Sequence, residues 1–137
     1  MRRKIAAAFV LVAEDDPQQI LGYFTLAAYG VPLANIPSEV RRRLPRYDQV
    51  SATLIGRLAI DSGLQGQGLG SILLARALRK AYQSADHVGS CMVVVDALDA
   101  AAVRFYEKFD FVRLPDSMRL ILPMWLIGQL IDGVEGA

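Results

Sequence analysis

Gln65-Gly66-Gln67-Gly68-Leu69-Gly70 places three glycines between a strand-like run, Thr53 to Ile60, and a stretch of helical apolar spacing, Ser71 to Ala85. Glycine removes the Cβ atoms that would keep a ligand off the main chain. A helix starting there directs unpaired N–H groups and the positive end of its dipole at the same point. An anion, above all a phosphate, suits such a junction. A dinucleotide fingerprint does not fit, because its last position, counted from Gly66, falls on Ser71. A P-loop requires a lysine before its Ser or Thr, and Gly70 is followed directly by Ser71. On the loop alone, a glycine-rich turn without a ligand stays as open as any ligand.

Few other residues offer chemistry. Tyr106 shares a helical face with Ala102 and Phe109, so by spacing alone it reads as a core aromatic. Arg41, Arg42, Arg43 and Arg46 lie in a short segment bounded by Pro37 and Pro45, and composition alone favours a solvated loop or turn. His87 is the only histidine, and Ser84-Ala-Asp-His-Val-Gly89 reads as an exposed loop. Cys91 is the only cysteine and opens the apolar run Cys-Met-Val-Val-Val, which suits a reduced core thiol. One cysteine and one histidine are too few for a zinc site, and no metal is expected.

The elements that must position these residues follow from the chain as a whole. Its 137 residues, 53% hydrophobic and 21% charged, are enough for one domain with a continuous core. A net charge of +1 excludes a globally basic nucleic-acid binder. No apolar run approaches the ~20 residues of a membrane span. The start, Met1 to Ala13, superficially resembles a signal peptide, but its continuation into a turn and a second apolar run favours a strand.

Strands are expected at Ile5 to Ala13 and Ile20 to Ala28, joined as a hairpin through Glu14 to Gln19. Ser38 is a candidate N-cap of a short helix in the basic segment. After the Thr53 to Ile60 strand and the loop, Gly70, Leu74, Ala77, Leu78, Ala81 and Ala85 form one helix face, opposite Arg76, Arg79, Lys80 and Gln83. Ser90 to Val95 predicts a central strand buried on both faces. Asp99 is placed to cap a helix reaching about Phe109. The last strand is expected over Leu120 to Ile127, with Pro123 marking an edge or bulge. A hairpin followed by strand–helix–strand–helix–strand predicts one mixed α/β layer domain with a central parallel pair.

Two motifs together carry a resemblance. Gln-x-x-Gly-x-Gly at Gln65 to Gly70, after Arg57-Leu-Ala-Ile-Asp61, resembles the acyl-CoA pyrophosphate loop of the GNAT acetyltransferase superfamily. Asp99, Ala102, Phe105, Tyr106, Asp110 and Phe111 follow the register of that family's downstream motif. Leu44-Pro-Arg-Tyr47, Gly56 to Asp61, Val95-Asp-Ala97 and Phe105-Tyr-Glu107 narrow the resemblance to the GNAT toxins of bacterial toxin–antitoxin pairs, which acetylate the α-amino group of aminoacyl-tRNA. Asp99 stands where the family has Asn, and Asp110 where it has a Gly past the helix end; Asp tolerates left-handed backbone there at roughly 1 kcal/mol. The chain also starts late against the family pattern, so residues 1–137 are expected to form one GNAT-like domain shortened at its N-terminus.

The resemblance implies a mixed α+β fold, a mostly antiparallel sheet with a splayed central parallel pair and flanking helices. It implies acetyl-CoA as co-substrate, its pyrophosphate held by Gln65, Gly66, Gln67, Gly68, Leu69, Gly70 and Ser71. Leu58, Ala59 and Ile60 would pair with the pantetheine, and Asp99, Ala102 and Phe105 complete the cofactor side. Tyr106 becomes the general acid toward the departing thiolate. Arg41, Arg42, Arg43, Arg46 and Arg57, with Arg2, Arg3 and Lys4, become tRNA contacts; Arg57 is alternatively paired with Asp61 or Asp96. No general base stands out, which suits an α-amine of pKa ~7.8 better than a lysine of ~10.4. The implied partners are aminoacyl-tRNA, a small DNA-binding antitoxin and a second copy of the chain, in the cytoplasm and without a membrane. The apolar stretch Trp125 to Ile131 is read as core packing ahead of a dimer or antitoxin interface. A GNAT acting on a small amine or protein amine, and a non-catalytic acyl-CoA-binding remnant, are the alternatives.

Overall fold

Four consecutive residues of one strand, Met92 to Val95, are fully buried, because both faces of the sheet around them are covered. The computed structural model describes residues 6–135, apart from the side chains of residues 87–88 and 132–135. The strands are β1 (Ala7–Ala13), β2 (Asp16–Pro32), β3 (Gln49–Ile60), β4 (Met92–Asp96), β5 (Val112–Arg113) and β6 (Arg119–Pro123). They form one sheet in the order β1-β2-β3-β4-β6-β5. Only β3 and β4 run parallel, so the expected mostly antiparallel sheet with a central parallel pair is observed. The helices are α1 (Ser38–Arg41), α2 (Leu69–Val88), α3 (Ala100–Glu107) and α4 (Met124–Glu135).

Side chains of β4 alternate between two cores. Val93 and Val95 pack with Phe24, Ile55, Leu73, Leu74, Leu120 and Leu122 on the face that α2, α3 and α4 cover. Met92 and Val94 pack with Val31, Ile36, Leu44, Val50, Leu114 and Ile121 on the other face, which residues 33–46 cover. The α2 face expected to pack is buried: Leu74 and Ala77 are fully enclosed, with Leu78, Ala81 and Ala85 close behind.

Several boundaries differ from expectation. The hairpin turn is only Glu14–Asp15, because β2 begins at Asp16 and Pro17 is accommodated where the β1–β2 register slips. Pro37, not Ser38, is the N-cap of α1, with no side-chain capping bond. His87 lies in the last turn of α2 rather than in a loop, since Gly89 with φ 66° ends that helix; the exposure expected of its side chain lies outside the described residues. The last strand stops at Pro123, and Trp125 to Ile131 is helical. Met124 and Ile127 are buried and Ile131 half-buried, a spacing of three and four that suits α4 lying on α2. Pro123 sits at the end of an interior strand, opposite Met92 and beyond the reach of β5.

Candidate active site

The ladder between β3 and β4 ends at Ile55 opposite Val95, while β3 runs on to Ile60 bonded to β2 alone. A bulge marks the divergence: Thr25 faces Arg57 and Leu26 faces Ile55, leaving Gly56 as the extra residue. A Cβ on Gly56 would stand 2.8 Å from Thr25 Oγ1, so a larger residue at this bend requires the Thr25 side chain to shift. At the other lip, Ala97 N–H donates to the Met118 carbonyl (2.9 Å), carrying the end of β4 toward β6. Between the parted strands lies a cavity of about 480 Å³, lined by Tyr23, Arg57, Leu58, Ala59, Asp96, Leu98, Ala102 and Tyr106 among others.

Tyr106 reaches it from α3. The Asp99 carboxylate caps that helix by accepting from Ala102 N–H at 2.8 Å. The Tyr106 ring packs between Phe105 and Phe111, with centroids 5.3 Å and 5.4 Å away. Burial pushes its phenol pKa upward, so the hydroxyl stays protonated at neutral pH. The hydroxyl has no hydrogen-bond partner among the described residues, and none of their buried side-chain polar atoms is left unpaired. The group therefore keeps contact with the cavity.

The glycine loop lies at the start of α2. Gly66 (φ 85°) and Gly68 (φ 79°) are left-handed, and no other atom lies within 4 Å of where a Cβ would stand at either. Gly68 is the N-cap and supplies no side chain, so the first-turn N–H groups of α2 stand free for an anion. Asp61 fixes the approach, its carboxylate accepting from Gly63 N–H at 2.9 Å and its carbonyl from Leu64 N–H at 2.9 Å. The Phe105 ring lies 3.7 Å from the Cβ position of Gly70, which joins the loop to the helix carrying Tyr106.

On the opposite face of the sheet, Arg119 binds Asp96 with two bonds, Nε to Oδ1 at 2.7 Å and Nη2 to Oδ2 at 2.8 Å. Its Nη1 donates to the Tyr29 hydroxyl at 2.6 Å, and its guanidinium lies 4.6 Å from the Tyr29 ring centroid. These bonds raise the pKa of an already cationic group further.

Residues 6–113 match the family model described as Acetyltransferase (GNAT) domain. The chain belongs to the GNAT acetyltransferase family. It is 41% identical over 107 residues to the tRNA-acetylating toxin of Mycobacterium tuberculosis, a match covering 77% of this chain and 63% of that protein's length. Among solved structures it resembles AtaT complexed with acetyl-methionyl-tRNAfMet, at TM-score 0.83 and 32% identity, covering 93% of this chain and 76% of that one. It also resembles a tyrosine-to-phenylalanine mutant of the AtaT toxin bound to the C-terminus of the antitoxin AtaR and acetyl-CoA, at TM-score 0.70 and 28% identity, covering 92% and 71%.

In this GNAT domain the residues expected around a thioester do converge: Leu58, Ala59, Ala102 and Tyr106 line one cavity. Ile60 ends the unpaired β3 edge, and Gln65 to Ser71 form the loop and first turn of α2 beyond it. The left-handed Asp110 (φ 71°) is also as expected of a residue replacing glycine. Of the described arginines, only Arg57 lines the cavity. Arg41, Arg42 and Arg46 are exposed on the segment covering the other face, and the Arg43 guanidinium lies 4.2 Å from the Trp125 ring centroid. Arg2, Arg3 and Lys4 lie outside the described residues. Arg57 does not pair with Asp96, which Arg119 occupies, and has no carboxylate partner among the described residues. Cys91 is half-buried rather than deep in the core. Tyr23, Leu98 and the Asp96–Arg119 pair escaped the sequence reading; the position of Asp96 at the carboxyl end of a buried parallel strand was the available signal.

Proposed function

We propose that this chain is an acetyl-CoA-dependent N-acetyltransferase of the toxin type, moving acetyl to the α-amino group of aminoacyl-tRNA and so blocking translation. The observation that carries the reading is the cavity at the β3–β4 divergence, with Tyr106 beside it and an uncapped helix start beyond it. The 41% identity to a protein named tRNA-acetylating toxin supports the acceptor class. The left-handed, unobstructed glycines suit a pyrophosphate, and the unpaired edge of β3 suits an extended amide chain.

Acetyl-CoA, when bound, supplies an activated acetyl thioester. In this assignment main-chain groups of Leu58, Ala59 and Ile60 pair with the pantetheine amides. The N–H groups from Gln65 through Ser71 hold the pyrophosphate, while Asp99, Ala102 and Phe105 shape the α3 side. A β3 N–H polarises the thioester carbonyl. Tyr106 donates its phenolic hydrogen bond to the departing thiolate. Arg41, Arg42, Arg43, Arg46 and Arg57 bind acceptor phosphates. The partners are charged tRNA and a small antitoxin, as the AtaT–AtaR complex of a neighbour suggests. A second copy of the chain is assigned to the exposed side of α4, where Leu130 is 46% exposed; a monomer at micromolar concentration in sedimentation would remove that assignment. Among the described residues no helix is long and apolar enough to cross a membrane.

Radiolabelled acetyl transfer to total charged tRNA, compared with a panel of amines and peptides, tests the function. Label on aminoacyl-tRNA supports it. Transfer confined to free amines or peptides, or acetyl-CoA binding without transfer, refutes it.

A further inference from the structure

Among the described residues, Asp96 is the only carboxylate lining the Tyr106 cavity. It also lines a second cavity of about 570 Å³, with Asn35, Pro115, Ser117, Met118 and Arg119. By the alternation along β4, its side chain lies on the same face as Met92 and Val94, away from α2 and α3. Tyr106 and the glycine loop belong to the first face. The carboxylate thus stands where the gap between β3 and β4 opens onto the opposite side of the sheet.

Its surroundings hold it in one orientation. Both oxygens are bound by Arg119, which Tyr29 anchors through its hydroxyl and ring. A carboxylate offers about four lone-pair sites, so two remain for a further donor. Its side chain is 52% exposed, and a ligand in either cavity can reach it. The donor that the reaction brings to this gap is an amine.

We infer that Asp96 accepts an N–H hydrogen bond from the acceptor amine and aligns its lone pair with the thioester, while Arg119 and Tyr29 act as positioning residues. The donor substrate lies along β3 and the loop on one face, and the acceptor enters through the second cavity on the other. As the C–N bond forms and the C–S bond breaks, the amine's surplus proton passes to solvent at the exposed gap, and Asp96 only accepts the hydrogen bond. Orientation by Asp96 serves any acceptor amine that arrives neutral, and an α-amine of pKa ~7.8 is already partly so. The inference rests on the acetyl transfer proposed above, though not on which amine receives the acetyl group.

The test uses whichever acceptor the parent enzyme acetylates fastest, drawn from charged tRNA, free amines and peptides. Asp96→Asn should lower kcat/KM for that acceptor by about 10- to 100-fold, the factor carried by a hydrogen bond to a charged group. Its acetyl-CoA affinity should stay within about twofold of the parent, which also verifies folding. Arg119→Lys, which cannot make the two-bonded fork, should raise the acceptor KM while leaving acetyl-CoA affinity unmoved. Should Asp96→Asn fail to fold, Tyr29→Phe decides instead, with a severalfold rise in acceptor KM expected and no change refuting the inference. Parent-like acceptor kinetics in Asp96→Asn, alongside an active parent, would overturn the inference and leave the enzymatic function standing. A parent that binds acetyl-CoA yet acetylates none of these acceptors would overturn both.

Discussion

Replacing Tyr106 by phenylalanine removes one oxygen and tests the chemistry separately from the fold. The ring stays in place, held by Phe105 and Phe111, and the hydroxyl leaves no protein partner behind among the described residues. Stability should therefore change by less than about 1 kcal/mol, since no hydrogen bond of the fold is lost. Turnover should respond differently. The phenol is held above its ordinary value of 10.0 by burial, against about 8.5 for a Cys-like thiol. Full proton transfer to the thiolate is thus uphill by at least about 2 kcal/mol, at 1.36 kcal/mol for each pKa unit. A short hydrogen bond to the developing charge is the stronger contribution, worth about 1.5–3 kcal/mol. That converts to a loss of about 10- to 100-fold in kcat, rising toward 10³ if transfer contributes. Steady-state acetyl transfer gives kcat, and calorimetric titration with acetyl-CoA gives the affinity, which should stay within about twofold. Unchanged turnover would refute the role of Tyr106, and so would an affinity loss as large as the loss in kcat. Because the phenol is a donor only while protonated, any alkaline limb in kcat due to Tyr106 should lie above pH 10.

Other expectations follow from the same geometry. Gly68→Ala forces a side chain into backbone with φ 79°, so it should cost about 1–2 kcal/mol and weaken acetyl-CoA binding in the same titration. Asp99→Ala removes the α3 cap bond to Ala102 and should lower stability by about 1 kcal/mol in urea unfolding. Leu74→Ala, at a fully buried position facing β3 and β4, should cost about 2–5 kcal/mol by the same measurement. Arg41→Glu with Arg42→Glu, both exposed, should leave stability within about 0.5 kcal/mol and weaken tRNA binding with a shallower salt dependence. Unaltered or salt-insensitive binding would return that segment to an ordinary solvated surface.

The elements near the glycine loop were legible because their signals are local. A three-glycine junction, an Asp at the start of a helix and a run of four buried apolar residues each prescribe backbone geometry within a few positions. The last strand, expected to reach Ile127, ends at Pro123 because a short apolar run does not by itself distinguish strand from helix; contact with α2 makes the residues beyond it helical. Pro37 displaced Ser38 as a cap for a similarly contextual reason, since a cap depends on where the chain arrives from.

By itself the sequence determined the order of strands and helices from β1 through α3, the glycine junction between β3 and α2, and the two motifs marking a GNAT domain, but neither β5 nor α4. Only the tertiary structure decided how far the central strands separate. That depends on Gly56 facing Thr25 and on Ala97 turning to Met118, contacts between residues 31 and 21 positions apart. It likewise decided that Asp96 belongs to Arg119 and not to Arg57, since the pair spans 23 positions and joins neighbouring strands. Spacing along a chain reports periodicity within one element. Which charge meets which across a gap is set by packing of the whole sheet.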